Sequence, residues 1–149
     1  MHAILITLLT AMTPVVELRG AIPAGVAAGL EPWEAAIIAF IGNMIPVPFI
    51  IGFARRVLIV LRRKYRSLNS IILRIQNRAK DKGQIIRDYE MAGLVILVAI
   101  PLPGTGAWTG ALAAALMKLD MKYAVISIAA GVLIAALIVM GITYGVISI

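Results

Sequence analysis

"ELRGAIPAG", Glu17–Gly25, sets a glutamate, an arginine, a proline and two glycines between two strongly apolar stretches. Ala3–Val16 has 14 uncharged residues and Gly20–Leu30 has 11. Each is shorter than the ~20 apolar residues a helix needs to cross a hydrocarbon core of ~30 Å. Pro14, Gly20, Pro23 and Gly25 all disfavour a continuous helix between them. The first apolar segment, residues 3–30, therefore reads as broken, with its two charges at the break.

The rest of the chain explains why a break there matters. The 149 residues are 62% hydrophobic and contain no cysteine, and the mean hydropathy is +1.01. That is well above a soluble domain. Ala35–Ala54 is a run of 20 uncharged residues, and Met91–Met117 and Tyr123–Ile149 are 27 each. These lengths predict an all-α integral membrane protein. The N-terminal segment reads as part of the fold and not as a cleaved signal, because it lacks a basic flank and is one of several apolar segments. Without cysteine there is no disulfide, thiolate nucleophile or iron–sulfur site. No cluster of metal ligands and no cofactor motif is present, and "GTG" at Gly104–Gly106 lacks the Lys-Ser/Thr ending of a P-loop.

The net charge is +7, and 11 of the 14 Lys/Arg lie between Arg55 and Arg87. They flank apolar spans and carry no series of base-stacking aromatics, so nucleic acid is not expected. The positive-inside rule places this block in the cytoplasm, beside anionic headgroups as partners. Residues 61–90 read as a basic amphipathic cytoplasmic helix: Leu68, Ile71, Ile72 and Ile75 share one face, with Arg74, Arg78 and Lys82 on another. Gly83 is expected to end or kink it.

The two halves follow the same order. Residues 3–30 are a broken apolar segment, then comes the "LEPWE" turn with Trp33 as an interfacial anchor, then a helix over 35–60 weakened at Pro46-Val47-Pro48. Residues 91–117 are broken at "PLPGTG", Pro101–Gly106, then comes "MKLDMK", then a helix over 121–149. Arg19–Leu30 against Thr105–Leu116 shows five identities in 12 positions. This is the pattern of an internal transporter repeat. If each broken segment spans fully, the Lys118/Lys122 turn falls opposite the arginine block. If each is a re-entrant hairpin, Glu31 and Glu34 lie outside and every basic turn lies inside. The second arrangement satisfies the charge rule at each turn and makes the halves inverted. Irregular backbone at that depth must be shielded by protein. Two hairpin tips meeting would do so, and so would a homodimer.

Glu17 and Arg19 then sit at a tip. One reading is a self-neutralising pair; the other is a substrate or proton site, because intramembrane charges are costly and mark transport routes. Arg19 can hold an oxyanion with its planar fork. Glu17 can take up and release a proton. Gly20 and a helix opening near Pro23 would turn N–H groups toward the same place. In the second break Pro101, Pro103, Gly104 and Gly106 allow close backbone approach, Thr105 and Thr109 supply hydroxyls, and Trp108 supplies an indole N–H. Asn43 could reach either tip or serve as packing glue. No second carboxylate, Ser/His pair or metal cluster accompanies Glu17, so an enzyme is not expected. A transporter or flippase comes first, with a membrane scaffold as the alternative and an intramembrane enzyme with Glu17 as general acid behind both.

"ELRGAIPAG" and "AIPLPGTGAWTGAL" together resemble the signatures of the putative small multidrug export protein family. That family is similar to the DedA/VTT membrane proteins. The resemblance implies two opposed re-entrant hairpins and an anionic, polyprenyl-phosphate-like lipid or small amphiphile as substrate. It also equates Glu17 with the acidic residue of the first hairpin. DedA proteins carry arginines around the second hairpin, whereas Met91–Met117 has none. A phosphate grip would rest on Arg19.

Overall fold

A computed structural model describes residues 1–80, 83–102 and 104–147. The described residues are almost entirely helical, with no strand. The first half comprises α1 (His2–Met12), α2 (Glu17–Ala27), α3 (Pro32–Met44) and α4 (Val47–Lys64). Then follow α5 (Arg66–Lys80), α6 (Gly83–Ala99), α7 (Ala107–Met117) and α8 (Met121–Ile147). Pro32–Lys64 and Met121–Val146 are each long and apolar enough to cross a membrane.

Several boundaries differ from those the sequence suggests. The span expected over 35–60 starts at Pro32, where proline fits the first helical position. There the Glu31 N–H donates to the Glu34 carboxylate at 3.1 Å. It bends at Ile45-Pro46, between α3 and α4, because Pro46 cannot donate a helical bond. α6 opens at Gly83 and runs through Glu90 to Ala99. The change from polar to apolar residues at 90/91 is a change of environment along one helix and not an element boundary. Pro23 lies inside α2, and the helix opens earlier, at Glu17. Gly20 and Gly25 are therefore helical residues and do not turn N–H groups toward an anion. A Cβ on Gly25 would meet Thr7 and Ala35, so that glycine brings α2 close to α1 and α3.

The packing is inverted relative to a soluble protein. Ala11, Ala21, Ala39, Ala107, Ala111 and Ala124 are fully buried. Phe49 and Phe53 are 75% and 70% exposed, and Leu9, Val60, Leu137 and Ile142 are also exposed. Water would reward the opposite arrangement. In lipid, association depends on close backbone approach, which small residues permit. Added Cβ atoms at Gly42 and Gly131 would lie 2.7 Å from the Leu8 carbonyl oxygen and 2.8 Å from the Val95 carbonyl oxygen. In each half, the long helix thus presses a glycine against the carbonyls of the half's first helix.

In each half the helices on either side of the break pack against each other. Thr7 of α1 meets Gly25 of α2, and Val98 and Leu94 of α6 meet Gly110 of α7. Tyr89 and Glu90, early in α6, share a cleft with Met117 at the end of α7. The two ends of the bundle follow. Arg55, Arg62 and Lys118 line one pocket, and an Arg55 Nη donates to the Leu119 carbonyl. At the other end Pro32 and Trp33 share a cleft with Met140, Gly141 and Tyr144.

α2 and α7 are each 11 residues long, and both close the same way. Leu30 N–H donates to Gly25 O at 3.0 Å, and Leu119 N–H to Ala114 O at 3.2 Å, around Gly29 and Lys118 with φ of 98° and 56°. This is the Schellman ending. Superposing the helix starts pairs Gly20 with Gly110, Ala21 with Ala111 and Ala24 with Ala114. The sequence alignment of Arg19 with Thr105 is out of step with that register by about one helical turn. Alanine-rich helices match themselves at several offsets, and only the helix starts choose among them.

The basic stripe is only partly visible. Ile72 is buried in the pocket with Arg55 and Arg62, while Ile71 is more than half exposed. The side chains of Leu68 and Ile75 lie outside the described set.

Candidate functional site: an ionic clasp between the two breaks

Between α6 and α7, residues 101–102 and 104–106 lie outside any helix, in apolar surroundings. Their carbonyls and the first N–H groups of α7 need partners. Both needs are met from the first break. Arg19 donates through Nη1 to the Leu102 carbonyl and through Nη2 to the Thr105 carbonyl. It also donates to Thr105 Oγ1 at 2.9 Å. The Thr105 hydroxyl is 2.7 Å from Ile100 O and 2.8 Å from Leu102 O, and its single proton serves one at a time. Thr109 Oγ1 donates to Gly104 O at 2.9 Å.

The anion goes to the opposite pole. Trp108 N–H donates to Glu17 Oε1 at 3.4 Å. Gly106 is the N-cap of α7 and offers no side-chain cap of its own. Glu17 therefore caps a helix 90 residues away, where N–H groups and the helix dipole favour negative charge. The cation lies on carbonyls past the end of α6, and the anion lies at the start of α7. Glu17 Oε2 and Arg19 Nη2 are 4.0 Å apart, so each charge is held more closely by the second break than by the other charge.

Two backbone conformations allow this. Gly106 has φ 134°, a region restricted to glycine. A Cβ there would also run into the Glu17 carboxylate. Glu17 itself has φ 50°, which costs an L-residue roughly 1–2 kcal/mol. Its side chain is nearly buried, at 4% exposure.

Of the residues singled out from sequence, Glu17, Arg19, Gly104, Thr105, Gly106, Trp108 and Thr109 come together here. Pro101 lies in the same irregular stretch, and Pro103 falls outside the described residues. Gly20 and Pro23 sit within α2, away from the hydrogen bonds of the clasp. Asn43 is fully buried, and neither amide atom has a hydrogen-bond partner among the described residues. No bond ties it to either break.

The clasp stands at the head of an apolar groove of about 660 Å³ between α4 and α7. Trp108, Leu112 and Leu116 form one wall at helical spacing, and Phe49, Phe53 and Leu58 belong to the other. The Trp108 indole N–H is buried without a hydrogen-bond partner among the described residues. Sequence reasoning treated Arg55 only as a topology signal. Its one local mark is that it ends the uncharged run Ala35–Ala54, and its tie to Leu119 is long-range.

Fold and site together define an all-helical membrane protein built on two long apolar helices, whose two broken segments are clasped by one acid and one base. Residues 17–138 match the family described as "Putative small multi-drug export protein", and the chain belongs to that family. The family name denotes export across a membrane. Comparison with curated proteins and with solved structures gives no match.

Proposed function

We propose that the chain is a proton-coupled transporter or flippase for an anionic amphiphile, with the clasp as its gate and no catalytic step. The observation that carries this reading is the Glu17/Arg19 clasp at the head of the α4/α7 groove. The charges hold backbone that lies outside the helices, so loosening them opens the junction between the halves. A proton on Glu17 removes the negative charge from the start of α7 and leaves Arg19 on its carbonyls. An amphiphile in the groove lies against Trp108, next to that junction.

The same reading takes the broken segments as re-entrant hairpins and the halves as an inverted repeat, a relationship shared with the DedA/VTT proteins. Its support is that Lys118 lies with Arg55 and Arg62, while the Glu31 turn lies by the far end of α8. The matched Schellman endings of α2 and α7 point the same way. We place the protein in the cell membrane with the basic end cytoplasmic. We further propose a two-fold homodimer, because one copy has little protein with which to shield two irregular breaks from lipid.

A scaffold without transport is the second reading. It is favoured by the way Glu17 and Arg19 serve the backbone of the second break, a structural role that needs no substrate. Purified protein in liposomes with a pH gradient and a fluorescent anionic amphiphile separates the two. Protein-dependent movement that loses its pH dependence in Glu17→Gln supports the gate. No movement by folded wild-type protein favours the scaffold.

A further inference from the structure

The apolar groove does not end in apolar surroundings. At Leu58 it meets a second pocket of about 280 Å³, lined by Arg55, Arg62 and Lys118 with no carboxylate among its lining residues. Arg55 is tied to the Leu119 carbonyl, and Arg62 and Lys118 each have interactions within the chain. The Arg55 Nε is nevertheless buried without a hydrogen-bond partner among the described residues. Guanidinium groups lining such a pocket suit an oxyanion, which they can hold bidentately.

We propose that Arg55, Arg62 and Lys118 form the headgroup site of an anionic phospholipid drawn from the adjacent leaflet, with one of its chains in the α4/α7 groove. The orientation is that of a leaflet lipid. The head lies at the basic end of the bundle and the chain runs along α4 toward Trp108. From Leu116 to Trp108 is eight residues, or roughly 12 Å of helix, which matches about half a bilayer core of ~30 Å. Charge selects the lipid, and the groove holds only what is already dissolved in the bilayer. The site deepens the transport reading, on which it rests for taking the groove as the substrate's, but its occupancy is measurable without transport.

Trp33→Phe leaves Trp108 as the single tryptophan of the chain. That protein is placed in phosphatidylcholine nanodiscs with a small, equal fraction of bromine-labelled phosphatidylglycerol or bromine-labelled phosphatidylcholine. Bromine in the groove quenches Trp108. The anionic lipid should quench with about tenfold higher apparent affinity, the scale of one charge-assisted contact. Arg55→Gln with Arg62→Gln should abolish the preference, since Gln carries no charge. Lys118→Gly should reduce it severalfold while leaving the fold intact, because Lys118 holds a left-handed φ that glycine adopts freely. Inorganic phosphate at matched ionic strength should not displace the lipid. Equal quenching by both lipids would overturn the proposal and make the groove an ordinary lipid-facing surface. Absence of quenching by either would overturn it in favour of a second copy filling the groove. Selective quenching without amphiphile movement in liposomes would refute the transport reading and leave the lipid site standing.

Discussion

Gly106→Ala tests the clasp most directly, because Gly104 two residues earlier is an internal control. Both glycines have positive φ, 83° at Gly104 and 134° at Gly106. Forcing alanine into such a conformation costs on the order of 1–3 kcal/mol. A Cβ on Gly104 would have nothing within 4 Å, so strain is its whole penalty. A Cβ on Gly106 would displace the Glu17 carboxylate. Glu17 then loses the Trp108 N–H, and α7 loses its cap, which adds about 1–3 kcal/mol for buried polar groups left unpaired. Gly106→Ala should therefore cost roughly 2–6 kcal/mol, and Gly104→Ala only the strain portion. The part of the excess that comes from this clash should vanish in a Glu17→Ala background, where no carboxylate remains to be displaced and only the difference in backbone strain is left. The resulting coupling energy should fall within the ~0.5–3 kcal/mol seen for contacting residues. Denaturant titration in mixed micelles, followed by helical circular dichroism, measures all four proteins of the cycle. Equal losses for the two glycine variants, with no coupling to Glu17, would refute the assignment of Glu17 as the cap of α7.

Arg19→Lys keeps a charge but loses the fork that reaches both Leu102 and Thr105, so it should destabilise the fold by about 1–3 kcal/mol. The same titration reads it, and an unchanged midpoint would show that those carbonyls find other partners. Glu17→Gln retains an acceptor but cannot titrate; it should remain folded and lose the pH dependence of amphiphile movement. Single cysteines at positions 2 and 33 should react with a membrane-impermeant thiol reagent from one side, and those at 63 and 118 from the other. Reaction of positions 63 and 118 from opposite sides would exclude hairpins that return to the side they entered. A leucine at Gly131 has no room against Val95 and Val98 and should prevent α8 from seating, whereas one at Gly141, where a Cβ would meet nothing within 4 Å, should be tolerated. Mass photometry in nanodiscs should show two copies per particle, and a uniform single copy would argue against the dimer.

The sequence by itself determined that the chain is a helical membrane protein, since run length and hydropathy are set by residue type alone. It also marked where the helices fail. Prolines and glycines at 14–25 and 101–106 lower local helix stability whatever surrounds them, and both breaks are present. The charges at Glu17 and Arg19 stood out for a similar reason, because isolated charge in apolar sequence needs a partner. Tertiary structure decided which partner. The sequence invited a pairing of Glu17 with Arg19, but the closest partners of both are backbone groups more than 80 residues away, and backbone carries no sequence signal. Whether Gly20 faced a ligand or a neighbouring helix turned on where α2 begins, which Pro23 misled and the left-handed Glu17 decided. The register in which α2 and α7 correspond was likewise set by helix starts and not by alanine identities. Arg55 and Lys118 line one pocket because α4 packs against α7, a consequence of packing between segments that local composition does not encode.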